Sequence, residues 1–139
     1  MTAKEYLNQA LYLDRELENK IEQIQVLNEL TTKVTGVISD LPKTKSNYKS
    51  NKLEDTIVKI TDLKESINED ILILLDIKKK ITKDINKLKN KEEQLILEQR
   101  YLCFKNWEQI AVDMNYSIQY CFKVHKRALN NILEIIKNR

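Results

Sequence analysis

Glycine and proline are almost absent from this chain: each occurs once in 139 residues, as Gly36 and Pro42. Folds rich in β-strands need many tight turns, and tight turns depend heavily on these two residue types. Charged residues make up 32% of the chain and hydrophobic residues 42%, a balance typical of long amphipathic helices with one solvated face. The sequence therefore predicts an all-α fold.

The N-terminal part of the chain carries a helical pattern that begins with a capping signal. Thr2 and Glu5 have the spacing of a capping box, in which each side chain accepts a hydrogen bond from the other residue's backbone N–H. Apolar residues then recur at steps of three and four along one helix face. They are Tyr6, Ala10, Leu13, Leu17, Ile21, Ile24, Leu27, Leu30 and Val34. This pattern predicts one long amphipathic helix.

A second apolar stripe has the period of a coiled coil. Its last member lies 35 positions after its first and is reached in ten steps, which average 3.5 residues each. Its members are Leu53, Ile57, Ile60, Leu63, Ile67, Ile71, Leu74, Ile77, Ile81, Ile85 and Leu88. Between the stripes, residues 35–52 hold Gly36 and Pro42 among polar side chains and indicate a loop, after which Asn51 would cap the second helix. Residues 1–89 are thus predicted to form an antiparallel, coiled-coil-like helical hairpin.

A hairpin of two helices buries little apolar surface by itself. Ile73 and Leu75 flank the second stripe and would remain exposed on a lone hairpin. We therefore expect the hairpin to form a homodimer. The stripe is also compatible with a groove for a partner helix, but a core and dimer seam is the simpler interpretation.

Residues 90–139 change to shorter segments, each preceded by a capping residue. Asn90 stands three residues before Glu93, and Asn106 three before Gln109, which is the spacing of a helix N-cap. Ser117 precedes a last helix that is predicted from residue 118 to about residue 137. These residues are predicted to form a separate small domain.

The range 106–129 meets the local requirements of a helix-turn-helix. Ala111 is small enough for two helices to cross closely, Asn115 tolerates the left-handed turn conformation, and Ser117 caps the second helix. The inward face of that second helix would hold Cys121, Val124, Ala128 and Ile132. Four independent local requirements therefore agree on one motif.

The charge of the chain is modest overall but concentrated near its C-terminus. The net charge is +3, whereas residues 118–139 hold five basic residues against Glu134 alone. A basic C-terminal helix is typical of a small DNA-binding protein. The chain shows no run of eighteen apolar residues and no signal-peptide pattern, so we expect neither a membrane span nor export, and a cytoplasmic location.

Catalytic and metal-binding chemistry is not indicated. Cys103, Cys121 and His125 are too few and too poorly spaced for a zinc site. Cys121 and His125 are four residues apart on one helix, but no third group is placed to orient the pair. We expect no metal, no cofactor, no small-molecule substrate and no enzymatic activity.

Four short runs resemble the promoter-reading fourth region of bacterial sigma factors. They are Arg100-Tyr101-Leu102, Trp107-Glu108-Gln109-Ile110-Ala111, Met114-Asn115-Tyr116-Ser117 and Arg127-Ala128-Leu129. With its helical N-terminal half, the whole chain resembles small phage and prophage transcription regulators of Gram-positive bacteria, akin to the RinA and ArpU late regulators. Asn115 replaces the usual glycine, and nothing resembles the sigma region that melts promoter DNA. The resemblance implies a regulator that works through RNA polymerase without replacing it.

The resemblance also implies that the last helix enters the major groove of double-stranded DNA. Gln119 would contact adenine, Lys123 or Arg127 guanine or phosphate, and Tyr120 a thymine methyl group or a phosphate. Lys126 and Arg100 would contact backbone phosphates. The predicted DNA-binding set is Arg100, Asn106, Ser117, Gln119, Tyr120, Lys123, Lys126 and Arg127. The alternative is a helical adaptor that binds RNA polymerase or another protein without reading DNA.

Overall fold

The computed structural model describes the backbone of residues 1–38 and 43–138, and the side chains of residues 1–33 and 51–138. Over those backbone ranges the regular structure is helical and includes no β-strand, so the predicted all-α class is confirmed. The helices are α1 (Ala3–Ile38), α2 (Lys43–Ile85), α3 (Lys91–Leu97), α4 (Trp107–Met114) and α5 (Ile118–Lys137). A π-helical turn, Glu98–Leu102, directly extends α3. None of the described helices is long and apolar enough to cross a bilayer.

The first turn of α1 has the predicted capping box. The backbone N–H of Thr2 donates to Glu5 Oε2 at 2.9 Å, and that of Glu5 donates to Thr2 Oγ1 at 3.1 Å. Each side chain satisfies an N–H group that lacks a partner within the helix. This local signal therefore sets the start of α1.

The predicted loop at residues 35–52 is wrong at both ends. α1 continues to Ile38 and α2 begins at Lys43, so Asn51 lies inside α2 instead of capping it. Residues 39–42, which include Pro42, lie outside the described residues. Polar residues such as Lys, Ser and Asn each cost a helix at most about 0.7 kcal/mol relative to Ala. A solvated helix can therefore continue through a segment whose composition suggests a loop.

The chain divides into two compact units, which do not follow the predicted division between residues 89 and 90. The larger unit combines Met1–Asp14 with Ile73–Arg139, and the smaller unit is Arg15–Leu72. The first turns of α1 and the last turns of α2 thus belong with α3, α4 and α5. The ends of the two long helices therefore supply part of the core around the C-terminal helices.

The core of the larger unit takes side chains from each of its helices. Its fully buried apolar residues include Leu7, Ile81, Ile85, Ile96, Leu97, Tyr101, Ile110, Val124 and Ile132. Two polar contacts fix the long helices in this unit, one between α1 and α2 and one from α2 to the π-helical turn. The Tyr6 hydroxyl donates to the buried Asp84 carboxylate, and Lys78 Nζ donates to the Leu102 carbonyl oxygen at 3.2 Å. Packing and hydrogen bonding together therefore explain why the first turns of α1 and the last turns of α2 belong to the larger unit.

The smaller unit consists of segments of α1 and α2 alone. Leu17 and Ile60 are buried in it, and Lys20 Nζ donates to Ser66 Oγ at 2.8 Å and pairs with Asp70. By contrast, several residues of the predicted stripes remain exposed, namely Ile21, Leu30, Ile57 and Ile71. Two helices cover each other along only one narrow strip, so apolar side chains beside that strip stay in contact with solvent.

Candidate nucleic-acid interface

The connection between α4 and α5 has the predicted turn conformation. Asn115 ends α4 with φ 57° and ψ 44°, which is left-handed, and Asn tolerates this region better than most residues. The backbone N–H of Tyr116 then donates to the carbonyl oxygen of Ala111 at 2.9 Å. Ala111 is itself buried. Asn115 therefore has the left-handed turn conformation predicted for it, and Ala111 lies in the interior, as predicted for a small residue where two helices cross.

Asn106 and Ser117 cap the two helices as predicted. Asn106 Oδ1 accepts a hydrogen bond from the Gln109 backbone N–H at 2.8 Å, and Ser117 Oγ accepts one from the Tyr120 N–H at 3.1 Å. Both side-chain oxygens are therefore engaged with their own helix ends. Their observed role is to fix where α4 and α5 begin.

The buried side of α5 is the predicted one. Cys121, Val124, Ala128 and Ile132 are all fully buried. Their spacing of three and four residues keeps them on one helix face, which packs against the rest of the larger unit. This packing fixes which residues of α5 face the solvent.

The opposite side, which we call the exposed α5 face, carries Gln119, Lys123, Lys126 and Asn130. These residues are spaced by four, three and four positions, so their side chains form one row. Residues 118–133 include no acidic residue. Among the side chains that the structure describes, neither lysine of this row forms an ion pair. Asn130 was not in the predicted set, although its spacing from Lys126 could have indicated it.

Tyr120 turns toward α3 and away from this row. Its hydroxyl donates to Glu92 Oε2 at 2.8 Å, and the Tyr116 hydroxyl donates to the same oxygen at 2.9 Å. These two hydrogen bonds favour the charged carboxylate, so they lower the pKa of Glu92, and Arg127 contributes further. Tyr120 thus connects two helices instead of projecting freely into solvent.

Arg127 is also engaged with α3. Its Nε donates to Glu93 Oε1 at 3.2 Å, and Asn131 Nδ2 donates to the same oxygen. Glu93 is 2% exposed, and its backbone N–H is capped by Asn90 as predicted. An almost fully buried carboxylate needs such partners, because its desolvation is costly. Sequence reasoning recognised the cap but missed this pairing.

Arg100 lies apart from the exposed α5 face. Its Nη1 donates to the Lys105 carbonyl oxygen at 2.9 Å, and its guanidinium lies 5.2 Å from the Trp107 ring centroid. Both contacts hold the segment between the π-helical turn and α4. The structure therefore brings Gln119, Lys123 and Lys126 together, and it places Arg100 in a different environment.

An aromatic cluster surrounds His125 on another side of α5. His125 Nε2 and the Tyr101 hydroxyl are hydrogen-bonded at 2.6 Å, and the Trp107 ring centroid lies 4.7 Å from the imidazole. Burial lowers the pKa of His125 to about 4, and the positive charges of Lys4 and Arg100 add to this effect. Burial also raises the pKa of Tyr101 to about 12. At neutral pH both groups are uncharged, as expected for side chains in a packing role.

The two cysteines differ in exposure, and Cys121 lacks the environment of an activated nucleophile. Cys103 is exposed, whereas Cys121 is buried, and this burial raises the pKa of its thiol. A reactive thiol requires the opposite shift. Within the part of the chain that the structure describes, no three His, Cys, Asp or Glu residues cluster as metal ligands would.

Comparison of the chain with protein-family models, with curated proteins and with solved structures finds no significant match.

Proposed function

We propose that this chain is a DNA-binding transcription regulator of the phage type, in which α4 and α5 act as a helix-turn-helix. The observation that carries this proposal is the exposed α5 face, a row of amide and lysine side chains on a helix without acidic residues from 118 to 133. The left-handed Asn115 and the capping residue Ser117 supply the turn that such a motif requires.

In this proposal the N-terminal half of α5 enters the major groove of double-stranded DNA. Gln119 is suited to pair with adenine, because its amide both donates and accepts hydrogen bonds. Lys123 and Lys126 supply positive charge to guanine or to phosphates. Arg127 contributes from the edge of the row, since Glu93 already holds its Nε.

The long helices complete the proposal. α1 and α2 form an antiparallel hairpin, supported by the pairing of Lys20 with Asp70 and of Tyr6 with Asp84. The exposed apolar residues of α2 dimerise two chains, which presents two copies of α5 to a two-fold symmetric site. The regulator then acts through RNA polymerase bound beside it.

Salt dependence of DNA binding tests this function. We expect wild-type protein to bind duplex DNA from its own genomic region, with an affinity that falls steeply as salt increases, because lysines displace counterions from phosphates. Lys123→Ala/Lys126→Ala should make the slope of log affinity against log salt shallower by about 2. Fluorescence anisotropy measures both quantities. Arg127 is left unchanged, because its removal would strand the buried Glu93.

The matched control is Lys79→Ala/Lys80→Ala, which removes two exposed lysines from α2. It should keep the wild-type slope. Failure of the wild-type protein to bind DNA at low salt would reject the proposal.

A helical adaptor remains the second candidate function. It is favoured by exposed apolar side chains near the turn, especially Val112 on α4 and Phe122 on α5. Such side chains suit a protein surface better than a polyanion. An adaptor would bind purified RNA polymerase with equal affinity before and after the Lys123→Ala/Lys126→Ala change, and would show no affinity for DNA.

A further inference from the structure

A cleft opens beside α5 where the segment that follows α2 passes close to it. It has a volume of about 460 Å³ and is bordered by Lys87 and Lys89 on that segment and by Arg127 and Asn131 on α5. Lys87 and Lys89 follow α2 directly, outside the helices predicted to contact DNA. We infer that this cleft binds backbone phosphates of the duplex whose major groove α5 enters, an inference that rests on the proposed function.

The charge of the cleft suits an oxyanion. Three cationic side chains border it, and its one carboxylate, Glu93, is 2% exposed and already accepts hydrogen bonds from Arg127 and Asn131. Arg127 uses Nε for Glu93, which is one of the five donors of a guanidinium group. The cleft therefore keeps a net charge of +2, with the arginine held in place by the buried carboxylate.

The segment that carries the two lysines is fixed to the rest of the unit. Leu88, which lies between them, is buried. Gln94 Nε2 donates to the Leu88 carbonyl oxygen at 2.6 Å and to the Asn86 carbonyl oxygen at 3.5 Å. The Lys87 backbone N–H donates to the Asp84 carbonyl oxygen at 3.1 Å. The lysines consequently project from a defined backbone, so the cleft exists before any ligand binds.

The cleft lies farther along α5 than the residues proposed to contact bases. Arg127 comes eight residues after Gln119, a rise of about 12 Å along the helix. In the inferred complex the N-terminal turns of α5 contact base edges, and Arg127 contacts the phosphate backbone. Lys87 and Lys89, which line the same cleft as Arg127, extend this backbone contact.

Phosphate contacts position a protein on DNA but carry no direct sequence information. Lys87→Ala/Lys89→Ala in the full chain should therefore weaken binding to all duplexes by a similar factor. The slope of log affinity against log salt should become shallower by about 2. Preference for a duplex selected by the wild-type protein over a random duplex should stay within about twofold of wild type. By contrast, Gln119→Ala should reduce this preference.

The experiment compares wild type, Lys87→Ala/Lys89→Ala and the control Lys79→Ala/Lys80→Ala by anisotropy over a salt series, with circular dichroism to verify equal folding. Two lysines are removed in each variant, so overall charge is matched. A shallower slope in the first variant alone supports the inference. Equal slopes in both variants, with wild-type binding intact, overturn the inference and leave the proposed function standing. Absence of wild-type binding overturns both.

Discussion

Glu92 and Glu93 are neighbours in sequence, yet they take different partners on α5. Glu92 accepts hydrogen bonds from two tyrosine hydroxyls, and Glu93 accepts them from Arg127 and Asn131. Their sequence context indicated only the N-cap of α3. Tyr120 and Arg127 therefore seemed available for DNA, because no local pattern shows that a residue some thirty positions away supplies a carboxylate. Long-range pairing of this kind is the part of the site that sequence periodicity does not contain.

The burial of His125 makes stability depend on pH. The unfolded chain takes up a proton near pH 6.5, whereas folded His125 does so only near pH 4. Between these values the unfolded state binds more protons, so the free energy of unfolding must fall as pH drops. The contribution of His125 is complete at pH values well above 6.5. The two pKa values alone give a loss of about 3 kcal/mol by pH 4, and solvent screening of this partly buried ring reduces the expected loss to about 2 kcal/mol. Urea unfolding at several pH values measures this decrease.

His125→Gln removes the titrating group while keeping a side chain that can bond to the Tyr101 hydroxyl. This variant should lose less stability than wild type between pH 7 and pH 4, by about 2 kcal/mol. Equal losses in both proteins would show that His125 titrates normally and that the proton is taken up elsewhere.

At the scale of elements, the sequence predicted α4 and α5 well and the long helices less well. Asn106, Asn115 and Ser117 act on backbone groups within four residues, so their effect is readable locally. The C-terminal end of α1 and the start of α2 were inferred from composition alone, which misplaced both. The positive φ of Phe104, 59°, was not predicted either, nor was the contact of its ring with Lys78 of α2.

The left-handed turn between α4 and α5 predicts that Gly is more stabilising than Ala at residue 115, whereas the reverse holds at a helical position such as residue 130. A Cβ crowds the backbone in the left-handed region, which costs about 1 kcal/mol unless the residue is Gly or Asn. Asn115→Ala should therefore lower the free energy of unfolding by about 1 kcal/mol relative to Asn115→Gly. At the exposed helical position Asn130 the order should reverse, with Gly about 1 kcal/mol less stable than Ala.

Urea unfolding of these four variants decides the point, and the Asn130 pair serves as an internal control. If Ala is at least as stable as Gly at residue 115, the left-handed conformation does not limit the stability of this turn.

At the scale of the whole molecule, apolar side chains remain exposed along α2. Ile73 is 51% exposed and Leu75 is 59% exposed, as expected of residues that flank the stripe. Single exposed apolar residues are ordinary, but a series along one helix is typical of a contact surface. The sequence identified these residues. It did not predict that the ends of the long helices contribute to the core around α3, because that assignment depends on distant contacts.

We therefore expect light scattering of the wild-type protein to give twice the 16.5 kDa mass of one chain. Ile73→Glu/Leu75→Glu should give the monomer mass, because a dimer would have to bury two uncompensated charges on each chain. Asn51→Glu/Asn68→Glu introduces the same charges at exposed polar positions of α2 and should keep the dimer. A wild-type monomer at high protein concentration would contradict self-association.

Trp107 is the chain's one tryptophan, and its ring packs against Phe122 and His125. The cavity beside it, about 330 Å³ in volume, is also lined by Lys4 and Asn8 of α1. The protein thus carries its single tryptophan fluorophore at the place where the first turns of α1 meet α4 and α5. The wavelength of its emission maximum therefore reports, without a label, whether those turns of α1 are packed against α4 and α5.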